Sequence, residues 1–412
     1  MDDFMTNIGE IAQIFDGPHA TPVKTDEGPI FLSISSLDSG RLDLTKSARL
    51  SDADFKKWTK RVTPQEGDLL FSYETRLGEA ALMPSGVTAC LGRRMGLLRP
   101  RLDKIVPEYL LYAYLSPAFQ QTIVANTITG ATVDRISLNE LPDFPIRIPR
   151  KEVQKKVADL LKTIDAKIEC NNRINAELEA MAKTLYEYWF VQFEYPDANG
   201  KPYKSSGGKM VYNATLKREI PTSWQATTLA SITPISNDSL NPRDFLEKEF
   251  KHFSIPVFDA TNTYGIERGD IIGSNKFRVI GRDLLVSKLN PWFSRVIYAM
   301  DEEDQICSTE LVVWRCPTEN IKNFLYLIAT SQQFISHCVQ SATGTSNSHK
   351  RVNPAVMMRF EIPYSPEVAE EFGGKISSIV KKLIINRQEN QQLSQLRDWL
   401  LPLLMNGQVT VA

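Results

Sequence analysis

Between Glu152 and Trp189 apolar residues return in alternating steps of four and three. The row runs Val157, Leu161, Ile164, Ile168, then Leu178, Ala182, Leu185 and Trp189, with Asn171 and Asn175 standing on the same seam. Such a heptad stripe predicts a long helix that buries one face on a partner. At the α-helical rise the stretch spans roughly 57 Å, too long for an ordinary element inside one globular core. A second row, Phe372, Ile376, Ile379, Leu383, Leu393 and Leu400, lies near the C-terminus and is interrupted by Asn386 and Asn390. Each pair of asparagines is 215 positions apart (386 − 171 and 390 − 175). An antiparallel pairing of the two helices places Asn171 beside Asn390 and Asn175 beside Asn386. A buried seam asparagine costs stability but fixes register, because a slipped pairing leaves its amide unsatisfied. The alternative is that these asparagines lie on the solvated edges of two unrelated amphipathic helices.

Ahead of the first helix, residues 1–150 mix short apolar runs with turn signals. Pro29 to Ile34, Asp68 to Ser72 and Met95 to Leu98 predict buried strands. Pro107 to Val124 predicts a helix whose first turn carries Pro107 and Glu108. Residues 127–132 predict a polar, β-branched loop, and Leu141 to Ile146 a Pro-broken edge strand leading into the long helix. The Pro-, Gly- and Ser-rich segment from Tyr195 to Met210 predicts a linker or exposed crossover, and a second mixed region begins near Ile220.

The two halves share more than the asparagines. Asp68-Leu69-Leu70 matches Asp283-Leu284-Leu285, and Ser116-x-x-Phe119 matches Ser331-x-x-Phe334, both at an offset of 215. Gly130-Ala131-Thr132 matches Gly344-Thr345-Ser346, and Ile148-Pro149 matches Ile362-Pro363, both at 214. One order at one offset indicates a tandem duplication. The expected fold is α/β (α+β): two mixed α/β domains, each followed by a long helix, the helices pairing as an antiparallel coiled coil with pseudo-two-fold symmetry. The expected division is 1–150 for the first domain, 151–192 for the central helix, 193–220 for a crossover, 221–364 for the second domain and 365–412 for the C-terminal helix. Two heads on such a rod form a ruler, and duplex DNA, with a turn of about 34 Å, is a natural object for it.

Composition narrows the function. With 48 basic and 49 acidic residues the net charge is −1, which disfavours a strong non-specific nucleic-acid binder. The five cysteines, Cys90, Cys170, Cys307, Cys316 and Cys338, are scattered and supply neither a zinc pattern nor a disulfide framework. No signal peptide or membrane-length apolar run is evident, so a soluble cytoplasmic protein is expected. Asn290-Pro291-Trp292-Phe293 approaches the Asn/Asp-Pro-Pro-aromatic turn of adenine methyltransferases but lacks the second proline. No Gly-rich cofactor loop accompanies it, so a structural turn is expected there. Gly207-Gly208-Lys209-Met210 lacks the spacing and the hydroxyl of a phosphate loop.

Several phrases carry a family resemblance over essentially the full length. They include Asp16-Gly17-Pro18-His19-Ala20-Thr21-Pro22, Gly67-Asp68-Leu69-Leu70-Phe71-Ser72 and Trp189-Phe190-Val191. Gly200-Lys201-Pro202-Tyr203-Lys204, Ile220-Pro221-x-x-Trp224, Ser254-Ile255-Pro256, Leu285 to Pro291 and Leu401 to Gly407 continue the series. In this order, and with the repeat, the chain resembles the type I restriction–modification specificity (S) subunits. The resemblance implies a non-catalytic DNA-recognition component in which each head reads one half of a bipartite double-stranded target. It also implies that the helices set the half-site separation and dock two modification (methyltransferase) subunits, which bind S-adenosylmethionine and methylate adenine. A restriction subunit, with ATP and Mg, is a possible further partner. No cofactor or metal is expected in this chain itself.

Base reading needs Arg or Lys on guanine, Asn or Gln on adenine, and hydroxyls on phosphates. The candidates in the first head are His19, Thr21, Lys24, Arg76, Arg93, Arg94, Thr132 and Arg135. In the second head they are Lys276, Arg278, Lys288, Arg295, Thr345, Asn347, His349, Lys350 and Arg351. For any one of them the alternative is a solvated loop or a contact to a partner subunit; Arg99 and Arg101 are equally read as surface charge. Near-neutral charge fits DNA binding if the modification subunits wrap the duplex and neutralise most phosphates. Two other functions stay open: a self-contained DNA methyltransferase or nuclease, and a coiled-coil scaffold that touches no nucleic acid.

Overall fold

The computed structural model describes residues 4–130, 133–344 and 349–411. The chain divides into two compact units, residues 1–167 with 393–412, and residues 168–392.

In the first unit a four-stranded antiparallel sheet has the order Ala12–Asp16, Met95–Pro100, Leu69–Ser72, Ala80–Leu82. Successive side chains on a strand point to opposite faces, so an unbroken apolar run is buried on both sides. Leu69, Phe71 and Leu98 face helices Pro107–Leu115 and Pro117–Ala125 and, beyond them, Val157 and Leu161 of helix Lys151–Tyr186. Leu70, Ala81 and Leu97 face Leu32, Leu37 and Leu91 on the other side. That second layer holds a smaller sheet in which Thr25–Phe31 lies between Ala48–Arg49 and, in parallel, Ala89–Cys90.

The second unit repeats the plan. Its sheet has the order Ile235–Ser236, Leu311–Arg315, Asp283–Ser287, Val296–Tyr298. Leu284, Val286 and Trp314 face helices Glu319–Ala329 and Gln332–Ser341 together with Phe372 and Ile376 of helix Pro366–Met405. Leu285, Ile297 and Val313 face Phe253, Phe258 and Cys307. The second layer is here a five-stranded sheet that keeps the parallel pair, Glu249–Phe253 beside Gln305–Cys307. Each long helix is entered from an antiparallel strand pair, Phe4–Asn7 with Pro145–Ile148 and Gln225–Thr228 with Glu361–Tyr364.

Some local expectations are revised. The single helix expected from Pro107 to Val124 is two, because Pro117 excludes the helical region at Ser116, whose ψ is 146°. The Ser116 hydroxyl then caps the second helix by accepting from Phe119 N–H at 3.4 Å, and Ser331 does the same for Phe334 N–H at 3.3 Å. In the C-terminal row Val380 is fully buried and Ile379 only partly. The crossover after Trp189 is exposed at 198–201 and 204–207, while Tyr195 anchors it: Tyr195 is buried, stacks on Tyr203 with centroids 4.8 Å apart, and its carbonyl accepts the Tyr203 amide proton.

Within the second unit the two long helices meet through their asparagines. Asn386 Nδ2 donates to Asn175 Oδ1 at 2.8 Å, and Asn171 Nδ2 donates to Asn390 Oδ1 at 2.9 Å and to Glu389 Oε2 at 2.8 Å. Arg387 adds an ion pair to Glu179 at 2.8 Å. Partner numbers fall on one helix as they rise on the other, which makes the contact antiparallel. Asn171 and Asn386 are 1 % and 0 % exposed, so these amides have little access to water. Within the first unit, Asp165 accepts from Arg397 at 2.9 Å and from the Tyr112 hydroxyl at 2.7 Å. Helix Glu319–Ala329 approaches the C-terminal helix at Gly373, where a Cβ would lie 1.9 Å from the Asn320 carbonyl oxygen; Asn323 Nδ2 donates to the Gly373 carbonyl at 3.0 Å.

Lys322, on that helix, is buried with its ammonium over the Tyr298 ring and donates to the Gly281 and Ala299 carbonyls. Burial lowers its pKa to about 7, against the opposing pull of Cys316, Glu319, Asp283 and Asp301.

Two outcomes follow from these buried polar groups. Asn386→Ala strands the Asn175 carbonyl oxygen in the seam and should lower stability by about 1–3 kcal/mol. In a double-mutant cycle by urea denaturation, Asn175→Leu with Asn386→Leu should recover most of that loss. For Lys322 the folded pKa lies below the unfolded one, so the unfolded state binds the extra proton and stability rises with pH above about 7. Lys322→Met should therefore flatten the gain in unfolding midpoint between pH 7 and 9.5, and an unchanged slope would assign the proton elsewhere.

Candidate nucleic-acid interface

At one end of each four-stranded sheet the same two loops are tied together. In the first head the turn after Leu69–Ser72 meets the segment at 134–136. The Thr75 amide donates to the Asp134 carbonyl at 3.2 Å, Ile136 to Tyr73 at 2.9 Å, and Tyr73 to Arg94 at 3.3 Å. In the second head Asn290 donates to Lys350 at 2.7 Å, Val352 to Lys288 at 2.9 Å, and Lys288 to Glu310 at 3.0 Å. Isolated bridges Glu74↔Arg135 and Leu289↔Arg351 occupy matching places. The turn residues Thr75 and Asn290 both have positive φ, 73° and 49°. Hydroxyls buttress both turns: Ser72 donates to the Glu74 carbonyl at 2.7 Å and Ser287 to the Leu289 carbonyl at 3.0 Å. Backbone amides thus hold two polar loops in one geometry while leaving their side chains free to differ.

The side chains do differ. In the first head Arg94 sits 2.9 Å from Glu74, and Arg135 is exposed. Arg93 is exposed beside Arg94, and Arg76 folds back onto the Ile34 carbonyl and Glu79. His19 is exposed at the end of the neighbouring strand, with Nε2 2.8 Å from Asp16, which also receives Arg61 at 3.4 Å. Thr21 and Lys24 are exposed along the irregular stretch leading to Thr25–Phe31. In the second head Arg351 makes a two-point pair with Glu310 at 2.9 and 3.1 Å. Arg295 grips Asp259 at 2.5 and 2.7 Å. Lys288, half-buried, lies at the base of the turn, and exposed His349 precedes Lys350 and Arg351. Lys276 and Arg278 stand apart on the five-stranded sheet. Lys276 is buried with Nζ 2.7 Å from the Ser274 hydroxyl, and burial lowers its pKa; Arg278 lies 3.7 Å from Asp238. Thr132, Thr345 and Asn347 lie outside the described residues.

Sequence reasoning missed the carboxylates that organise these cations, and it missed a buried pair beneath each site. Asp68 and Asp283, 2 % and 0 % exposed, open the central strands. Arg99 grips Asp68 at 2.9 and 2.7 Å, and Arg315 grips Asp283 at 3.0 Å through both nitrogens. Each aspartate also caps the tight turn before its strand, accepting from Gln65 N–H and Ile280 N–H. The side-chain hydrogen bonds to Asp68 and Asp283 raise the guanidinium pKa values of Arg99 and Arg315 above the ordinary one. Arg99 is therefore a strand anchor rather than loose surface charge. The signal was present: Arg99 and Arg315 repeat at 216, one position off the offset of their aspartates.

Among the described residues, no group of His, Cys, Asp and Glu is arranged to hold a metal ion, and no helix is long and apolar enough to cross a membrane. Two copies of one head, each presenting the same polar loop pair, define a duplicated α/β protein.

Residues 5–180 match the family described as the type I restriction modification DNA specificity domain. The chain is 24 % identical over 375 residues to the type I restriction enzyme MjaIX specificity subunit of Methanocaldococcus jannaschii, covering 88 % of this chain and 82 % of the relative. It is 21 % identical over 387 residues to the HindI specificity subunit of Haemophilus influenzae, covering 76 % and 80 %. Its fold is similar to that of the crystal structure of the S subunit from M. genitalium, with a TM-score of 0.63 at 14 % identity over 98 % of this chain and 96 % of that one. Residues 5–180 thus match the type I DNA specificity domain, and over most of its length the chain is similar to specificity subunits of type I restriction enzymes.

Removing one partner of the buried pair should be far worse than removing both. Arg315→Ala leaves Asp283 uncompensated and should cost about 3–5 kcal/mol, whereas Asp283→Leu with Arg315→Met should cost much less. Chemical denaturation of the full chain checks the order; equal losses would contradict it.

Proposed function

We propose that each tied loop pair reads one half of a bipartite double-stranded DNA target. The observation that carries this is the recurrence of one backbone frame around different side chains. A fixed frame sets where donors stand against base edges, and the variable side chains set which bases they accept. In the first head Arg93, Arg94 and Arg135 are the donors, with His19 at the border; in the second they are Lys288, His349, Lys350 and Arg351. The carboxylates Glu74 and Glu310 hold the guanidiniums in place before DNA arrives, which reduces the ordering cost of binding.

On this proposal the long helices, whose alignment the asparagines specify, fix the separation of the half-sites and carry two modification subunits. Adenine methylation and its S-adenosylmethionine then belong to those subunits, and ATP and Mg to a restriction subunit where one joins. A net charge of −1 supports a division of labour in which the modification subunits neutralise most phosphates. A self-contained methyltransferase is disfavoured by Asn290, whose side-chain oxygen accepts from the Lys350 amide at 3.1 Å and so is not presented to a base.

Selection of duplexes from a randomised pool by the full chain with its modification subunits should return a split motif. Lys350→Ala with Arg351→Ala should weaken one half of that motif about tenfold or more and leave the other intact, while Arg135→Ala should do the converse. A uniform loss, or none, would overturn the assignment.

A further inference from the structure

The turn Asn290-Pro291-Trp292-Phe293 places two large aromatic rings in solvent. Trp292 is 40 % and Phe293 58 % exposed, with ring centroids 5.9 Å apart. The backbone beneath them is fixed. Asn290 and Ser294 both take φ of 49°, Pro291 is buried, and Phe293 and Ser294 donate back to the Asn290 and Pro291 carbonyls. Asn290 is locked to Lys350 in both directions, through its amide and through its side-chain oxygen. Helix Gln332–Ser341 packs against the turn. Arg295 lies 4.5 Å from the Phe293 centroid while gripping Asp259, so a cation holds one ring by its face.

The first head has no such feature. Between matched strand ends its turn runs from Ser72 to Ala80, one residue shorter than Ser287 to Val296. At its tip Arg76 folds back onto Ile34 and Glu79, and Leu77 packs on the core. The aromatic tip is therefore peculiar to the second head. Both rings stay exposed although Arg295 covers one face of Phe293, and the pinned backbone holds the turn in place.

We propose that Trp292 and Phe293 form a stacking wedge that engages the bases of the half-site read by the second head, unstacking one base step. Every base offers a π-face, so an exposed aromatic pair is complementary to a nucleic acid irrespective of sequence. Lys288, Lys350 and Arg351 at the foot of the wedge supply the positive surroundings that a phosphate backbone requires. An apolar side chain driven between base pairs also makes recognition depend on how easily a step opens, which favours pyrimidine–purine steps. The inference rests on the DNA-reading role proposed above and adds the contact mode.

The test uses the full chain with its modification subunits, the randomised duplex pool, and then the selected duplex carrying 2-aminopurine at successive positions. Binding by the unmodified chain should raise 2-aminopurine fluorescence at one step of a single half-site. Trp292→Ala with Phe293→Ala should abolish that rise, weaken binding about tenfold and relax preference at that step alone. Trp292→Phe, which keeps a ring, should retain most of the signal. Unchanged selection and fluorescence in the double variant would overturn the wedge while leaving the loop-pair reading intact. Unchanged DNA binding with loss of modification-subunit association would overturn it in favour of a protein contact. Loss across both half-sites with a lowered unfolding midpoint would overturn it by making the rings a folding element. Failure of the unmodified chain with its modification subunits to select any motif would overturn the loop-pair reading and the wedge with it, an outcome distinct from loss of the fluorescence rise alone.

Discussion

An amide with no partner in an apolar seam costs about 1–3 kcal/mol, and shifting two helices by a turn strands several at once. Asn175 and Asn386 meet at 2.8 Å, and Asn171 finds both Asn390 and Glu389. Leucines at these places would bury more apolar surface, yet they would accept neighbouring alignments almost equally well. Apolar burial makes the helices associate; the asparagines decide where. Each helix also closes the face of a head, Val157 and Leu161 in one case and Phe372 and Ile376 in the other.

The heads obey a second constraint, a carboxylate buried at the start of the central strand. Asp68 and Asp283 each cap a turn and bind a guanidinium two-pointed from the adjacent strand. Burial of such a pair is weak evidence for stability, but it specifies geometry, since only one strand register satisfies every oxygen. The loop pair lies at the opposite end of the same central strands. A strand pinned at both ends is a firm base for the side chains that its loops present.

Much of this architecture was legible in the chain. Heptad spacing exposed the helices, and the constant offset exposed the duplication, because both depend on period alone. The helix break at Ser116 was also implicit in Pro117 but was masked by a continuous apolar run. Side-chain pairing was the part that sequence could not supply. Arg76, Arg94, Arg295 and Arg351 look alike as loop cations, yet each is held by a specific carboxylate or carbonyl contributed by another segment. Which carboxylate meets which arginine is decided by strand order, and that order is written in long-range packing rather than in local spacing.

One detail of the duplicated frame reaches beyond either head. The residue whose carbonyl receives the Tyr73 amide is Arg94, and the matching residue in the other copy is Glu310. The two copies thus carry opposite charge at one corresponding point on an otherwise shared scaffold. Each charge is answered across its loop pair, Arg94 by Glu74 and Glu310 by Arg351, so both copies build one ion pair with its ends exchanged. An exchange of this kind changes which side chains a frame presents without changing the net charge it carries.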